Sequence, residues 1–219
     1  RLLFTASIDD AVKDADFIQE STPEQEDIKD TVMAAISHAA RPDVVIASST
    51  SGIVPTRLQA QCKNPQRMIV GHPFNPVYLM PLIEVVGGEH TAPESIRWAM
   101  EFYRHWGKTA LHCRVETPGH LANRLQDAVM SEAMQLIADG IATTDEMDAA
   151  LTAGPGLRWA LIGAFMTGHM AAGDAGLRDV LSGKFGSSYQ SCFQGPDHLS
   201  EEAVEGILET TQSQVADRS

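Results

Sequence analysis

Cysteine, aromatic residues and basic charge are all scarce in this 219-residue sequence, and no long apolar run occurs in it. The three cysteines, Cys62, Cys113 and Cys192, are odd in number and far apart, which excludes a disulfide framework and fits a reducing, cytoplasmic setting. Sixteen Lys and Arg against 29 Asp and Glu leave a net charge of -13 with the basic residues dispersed, so no nucleic-acid partner is expected. The longest apolar runs, Val44–Ala47 and Leu82–Val86, fall far below the ~20 residues of a membrane-spanning helix, so no membrane partner is expected either. The sequence opens on Arg1 rather than Met, and Arg1–Ser7 lacks the apolar core of a secretory signal. Eight histidines show no HExxH or paired CxxC spacing, so no metal site is expected.

What is present is an ordinary globular composition, 43% hydrophobic and 21% charged, which sets disorder and coiled coil aside. Up to about Val115 short apolar runs alternate with helical stretches, the pattern of a parallel sheet covered by helices. Strands are predicted at Asp16–Glu20, Val44–Ala47, Arg67–Gly71, Leu82–Val86 and Thr109–Val115. Thr22-Pro23-Glu24-Gln25 predicts a helix start with Thr22 as N-cap, and Ile28, Val32, Ala35 and Ile36 give its buried stripe. Thr56–Gln61 and Pro93–Trp106 are further helices, and the two prolines of His72-Pro73-Phe74-Asn75-Pro76 predict an irregular segment.

After Thr117-Pro118-Gly119 the pattern becomes wholly helical. His120–Asp139 is predicted as a long helix with Leu121, Leu125, Val129, Ala133 and Leu136 on one face. Thr143 and Glu146 form a capping box, and that helix ends at Gly154-Pro155-Gly156. Trp159–His169 and Glu201–Gln212 are the remaining helices, the acidic Glu201–Glu209 being the solvated face of the last. The organisation expected is α/β over residues 1–116 followed by all-α over residues 117–219.

Ser51, His72, Glu84 and Asn123 stand at the ends of elements rather than on amphipathic faces. Glu84 interrupts an otherwise apolar strand, where a carboxylate costs several kcal/mol unless it is paired. If the strands of His72 and Glu84 are neighbours, the carboxylate orients one ring nitrogen and leaves the other as a general base. Each residue also has an ordinary structural reading: His72 as a hydrogen-bonded core residue, Ser51 and Asn123 as caps, Glu84 on an edge strand facing solvent.

In this order the segments Ser48-Ser49-Thr50-Ser51, Gly71-His72-Pro73-Phe74-Asn75-Pro76, Leu82-Ile83-Glu84-Val85 and Thr117-Pro118-Gly119…Asn123-Arg124 resemble the L-3-hydroxyacyl-CoA dehydrogenase superfamily. The resemblance implies part of a Rossmann-like NAD-binding domain followed by a helical domain of the 6-phosphogluconate-dehydrogenase C-terminal kind. It implies NAD-dependent oxidation of a small 3-hydroxy acid, with His72 as general base, Glu84 orienting it, and Ser51 and Asn123 bonding the substrate oxygen. Glu24, Lys29, Ser51 and Asn75 match positions that contact the nicotinamide end of NAD, and a homodimer through the helical part is implied as well.

Gly156-Leu157-Arg158-Trp159-Ala160 and Gly173-Asp174-Ala175-Gly176-Leu177-Arg178 resemble the carnitine-oxidising branch, with the L-gulonate branch as neighbour and the 3-hydroxyacyl-CoA enzymes as a further alternative. Carnitine carries a trimethylammonium, which aromatic faces hold, and Phe74, Tyr78, Trp159 and Phe165 are the candidates. Ordinary packing is the competing reading for each. The strand, GxGxxG turn and helix that open a dinucleotide-binding fold do not occur in the sequence, so the resemblance implies that about two βαβ-sized units of ~30 residues precede Arg1. A remnant serving only as a dimerising module is the alternative from another class.

Overall fold

The computed structural model describes residues 2–173, 176–181 and 200–217. Cys192 and the Asp174-Ala175 part of the glycine-rich segment lie outside them. The chain divides into two compact units, Arg1–Ser131 and Glu132–Ser219.

In chain order the first unit contains α1 (Ile8–Val12), β1 (Phe17–Glu20), α2 (Glu26–Ala39), β2 (Val45–Ser48), α3 (Pro55–Gln59), a 3-10 turn at Pro65–Arg67, β3 (Met68–Pro73), β4 (Leu82–Gly87), α4 (Pro93–His105) and β5 (Thr109–Cys113). It ends in the first turns of α5 (Ala122–Ala138). The strands form one sheet in the order β1-β2-β3-β4-β5. Side chains of β2 and of Val44 just before it alternate between two apolar layers, as a strand of period two requires. Val44 and Ile46 join Ile18, Met33, Ile36, Leu58, Met68, Val70 and Val86 on one face. Val45 and Ala47 join Ile69, Ile83, Val85, Ala99, Met100 and Tyr103 on the other. Both faces being covered, β2 is buried throughout.

The sheet departs from the all-parallel expectation at one place: β3 and β4 are antiparallel, pairing His72 with Glu84 and Pro73 with Ile83. β3 also runs on through His72 and Pro73, where an irregular segment was predicted. Pro73 is tolerated because it is the final residue of the strand, where one missing N–H costs the ladder little. Gly71, just before His72, is required by packing: a Cβ there would lie 2.1 Å from the Tyr103 hydroxyl oxygen. That phenol donates to Gln19 Oε1 at 2.6 Å, and Gln19 Nε2 donates in turn to the Gly71 carbonyl at 3.1 Å and to Ser49 Oγ at 2.8 Å.

Helix α2 begins at Glu26, with Gln25 in the N-cap position and no side-chain cap, so Thr22 is not its cap. The amide and hydroxyl of Thr22 both donate to Glu20 Oε1 at 2.5 Å, because a buried carboxylate at the end of β1 takes every donor in reach. Helix α5 forms where the periodicity predicts, yet its stripe is not buried within the chain: Leu121, Leu125 and Val129 are exposed.

The second unit is helical: the rest of α5, then α6 (Thr144–Ala153), α7 (Pro155–Ile162), α8 (Ala164–Ala171), α9 (Gly176–Leu181) and α10 (Glu201–Ala216). Thr143 and Glu146 complete the capping box that starts α6. The single helix predicted over Trp159–His169 is two, broken at Gly163, whose φ of 83° belongs to the left-handed region. Met166, Leu177 and Leu208 are buried on α8, α9 and α10, and Arg178 bonds Glu205 at 2.8 Å. No helix among the described residues is long and apolar enough to cross a membrane.

Candidate active site

The end of the sheet where β1, β2 and β3 finish and β4 begins collects the polar residues singled out above. The β3–β4 register sets His72 opposite Glu84, and His72 Nδ1 lies 2.9 Å from Glu84 Oε2. Both side chains are buried, at 6% and 0% exposure. An ionised carboxylate only accepts, so Nδ1 carries the hydrogen and Nε2 is left with the lone pair.

The second Glu84 oxygen, Oε1, accepts the backbone N–H groups of Leu121 and Ala122, each at 2.9 Å. Gly119 at φ 74° and His120 at φ 53° make the tight turn that brings these two donors, at the entry to α5, onto the carboxylate. Burial pushes the Glu84 carboxyl up, but His72 and the two N–H groups outweigh it, and the net position is below the ordinary 4.5. Cys113 Sγ, 3.9 Å from the same oxygen, is a neutral thiol, pushed up to about 11 by burial and by the Glu84 charge.

Beside this pair, Asn123 Nδ2 donates to the Ser51 carbonyl at 3.2 Å, joining the turn after β2 to the first turn of α5. The Ser51 hydroxyl and Asn123 Oδ1 have no partner among the described residues. The Ser51 turn is itself gathered by Glu24, whose Oε1 accepts the amides of Ser51 and Gly52 at 3.0 Å and the hydroxyl of Thr50. Burial raises the Glu24 carboxyl, yet these donors and Lys29 hold it below 4.5. Lys29 is 1% exposed, its Nζ bonded to Glu20 at 3.0 and 3.1 Å and to the Thr22 carbonyl at 3.1 Å, with Glu24 Oε2 at 3.6 Å. Its three hydrogens are therefore engaged within the protein, and it reaches the site through Glu24. Glu24 is 42% exposed, and its Oε2 has no contact closer than the 3.6 Å to Lys29 among the described residues.

Among the remaining candidates, the Phe74 ring centres 4.6 Å from that of His72. Asn75 is exposed without a hydrogen bond among the described residues, and Tyr78 is 85% exposed. Trp159 and Phe165 belong to the second unit and are exposed within the chain. One residue at this site was not singled out from the sequence: His120, fully buried, with its ring 5.3 Å from that of His72 and Nε2 3.4 Å from the Thr50 carbonyl. A histidine directly after Pro118-Gly119, on the threshold of a helix rather than on its face, was the available signal. Among the described residues no group of three or more His, Cys, Asp and Glu could hold a metal ion.

Residues 1–117 match the family described as 3-hydroxyacyl-CoA dehydrogenase, NAD binding domain, and residues 119–209 match 3-hydroxyacyl-CoA dehydrogenase, C-terminal domain. The chain is 49% identical to an L-carnitine dehydrogenase of Pseudomonas aeruginosa over 222 aligned positions, 100% of this chain and 68% of that protein. It is 51% identical to an L-carnitine dehydrogenase of Bacillus cereus over 181 positions, 83% of this chain and 56% of that protein. The solved structure of 5-formyl-3-hydroxy-2-methylpyridine 4-carboxylic acid 5-dehydrogenase, an NAD+-dependent dismutase, matches with a TM-score of 0.77 at 29% identity, over 98% of this chain and 76% of that one.

Proposed function

The chain belongs to the 3-hydroxyacyl-CoA dehydrogenase family, and from that premise we propose that it catalyses NAD-dependent oxidation of a 3-hydroxy acid to the 3-oxo acid, with L-carnitine going to 3-dehydrocarnitine. The observation that carries this reading is the 2.9 Å bond from His72 to Glu84, which leaves Nε2 of a buried imidazole as a free base. Nε2 accepts the 3-hydroxyl proton, and Glu84 stabilises the imidazolium that results. The Ser51 hydroxyl and the Asn123 amide bond the substrate oxygen as it becomes a carbonyl. Phe74 beside His72 supplies an aromatic face for the trimethylammonium; Tyr78 is a further candidate in the same unit, and Trp159 and Phe165 are candidates carried by the second unit.

Bound NAD would supply the acceptor for the hydride that leaves C3. The residues present fit its nicotinamide end: the partly exposed Glu24 carboxylate, steadied by Lys29, would accept from a ribose hydroxyl, and Asn75 and Ser51 stand at the same sheet end. Residues 1–116 then carry the cofactor side together with His72 and Ser51, and residues 117–219 add Asn123, further substrate contacts and the dimer contacts. The exposed apolar face of α5, with Leu125, Val129, Met130 and Met134, supports a homodimer, and light scattering on the native enzyme tests it. A cytoplasmic setting is part of the same reading, in keeping with free Cys62 and Cys113.

Initial rates of the native enzyme with L-carnitine, L-gulonate and 3-hydroxybutyryl-CoA test the substrate. The highest kcat/KM is expected for L-carnitine, and a rate slowest with carnitine removes it. His72→Gln is expected to abolish most turnover while NADH affinity stays within about twofold.

A further inference from the structure

His120 is buried beside the reacting base and has no part in the reaction described above. Its Nε2 faces the Thr50 carbonyl, which can only accept, so the hydrogen sits on Nε2 and the lone pair on Nδ1. That Nδ1 meets no donor; among the described residues it is the one buried side-chain nitrogen or oxygen without a hydrogen-bond partner. A buried acceptor left empty forfeits the hydrogen bonds it would make in water. The same residue holds a φ of 53°, in the left-handed region that non-glycine residues seldom occupy. Two unfavourable features retained on one residue next to His72 mark a position kept for a ligand.

The titratable groups that act on the ring are His72 from β3, Glu84 from β4 and Glu24 from the segment before α2. Burial holds His120 below its ordinary 6.5, against the bond to the Thr50 carbonyl and the pull of the two carboxylates. The imidazole is neutral in the free protein.

A 3-hydroxy acid brings a carboxylate into this site, and a buried anion needs a cation. Glu84 already engages His72, and Lys29 is engaged by Glu20, Thr22 and Glu24. Hydroxyl and carboxylate oxygens of such an acid stand about 3–5 Å apart by ordinary bond lengths. Two imidazole rings centred 5.3 Å apart suit one group each. The 3.4 Å contact with Thr50 is long for a hydrogen bond, so the ring turns Nδ1 toward a ligand at small cost.

We propose that His120 Nδ1 receives the carboxylate of a free 3-hydroxy acid and takes one proton from solvent as it does so. This deepens the reading above and rests on it for the placement of the 3-hydroxyl at His72. The proton bonds to Nδ1 on binding and returns to solvent on release; nothing is oxidised or reduced in the step. A neutral thioester or ester has no charge to draw the proton, so His120 makes the site select the free acid.

Calorimetric titration of the native enzyme saturated with NADH tests the proposal, with L-carnitine as the probe and two buffers of different ionisation enthalpy at pH 8. Uptake of about one proton per carnitine is expected, with the Kd rising about tenfold per pH unit as the pH climbs. Carnitine methyl ester is expected to bind with no uptake. His120→Phe is expected to weaken carnitine at least about tenfold and to leave the ester as before. His120→Asn, which tolerates a positive φ, keeps the test open if the phenylalanine variant fails to fold, and it too loses the uptake. Arg124→Gln is expected to retain the uptake, Arg124 being the neighbouring permanent cation. No uptake by the native enzyme, or equal weakening of acid and ester in His120→Asn, overturns the proposal. His72→Gln, which removes the base without removing His120, is expected to keep the uptake. Normal turnover in that variant sinks the reaction reading and leaves the carboxylate site standing.

Discussion

Replacing Glu84 by glutamine changes one atom, and the surroundings dictate which way the new amide points. Leu121 N and Ala122 N both donate to Oε1 at 2.9 Å, so the amide oxygen must stay on that side. Turning the NH2 toward them would set donors against donors and lose two bonds to a charged acceptor, each worth about 1.5–3 kcal/mol. The NH2 therefore faces His72 Nδ1 and donates to it. His72 must then accept at Nδ1 and carry its hydrogen on Nε2, the atom that has to be empty to take the substrate proton. The variant holds the imidazole in the wrong tautomer without removing it. Loss of general-base catalysis is worth about 10²–10⁴-fold, or about 3–5 kcal/mol on the barrier. Steady-state NADH absorbance at saturating substrate and NAD gives kcat, and NADH binding by fluorescence checks that the site is otherwise intact. Glu84→Asp, which still only accepts, is expected to fall between the parent and the glutamine variant. A kcat for Glu84→Gln within threefold of the parent would refute the argument from tautomer and from the two helix-entry donors alike.

Gly71→Ala is expected to destabilise the protein by about 2–4 kcal/mol, from the clash with the Tyr103 phenol and the loss of its bond to Gln19. This is a drop of roughly 5–15 °C in Tm. Tyr103→Phe in the same chain removes the nearest atom and is expected to cost less than the sum of the two single changes. Acid should destabilise the protein in two stages. His120 is held below 6.5, so the unfolded chain takes up its proton first and stability begins to fall below that pH. Glu20 and Glu84 are held below 4.5, so their contribution is complete above that value and is lost as the pH falls through their lowered positions. Thermal unfolding at pH 7.5, 5.5 and 3.5 measures both stages, and a Tm that rises toward pH 3.5 contradicts them. His120→Asn is expected to flatten the upper stage alone.

The strands were legible because each is a short apolar run bounded by breakers, and Glu84 was legible because a carboxylate inside such a run has to be paired. Strand direction was not: Leu82–Val86 reads the same whether it runs with or against Met68–Val70, and only the structure shows the reversal that sets Glu84 across from His72. Thr22 looked like a cap because its spacing to Gln25 is right, but a buried Glu20 nine residues before Lys29 competes for the same hydroxyl through contacts that no local pattern records. The helix predicted over Trp159–His169 broke at Gly163, a residue that helical periodicity passes over as merely small. His120 escaped notice because its significance comes from what lies across the fold, a ring from β3 and a carbonyl after β2.

The tight turn at Gly119-His120 gives the base two owners. The carboxylate that tunes His72 is encoded in the sheet, yet two of the donors that keep it ionised are amides of residues 121 and 122, at the entry to α5. A chain severed between residues 116 and 117 would keep the imidazole and lose two of the donors that hold its partner carboxylate. Because those donors are backbone amides, the side chains of the helix can change freely while the turn cannot. A helical segment exchanged between relatives is expected to preserve the base only if it re-forms that turn.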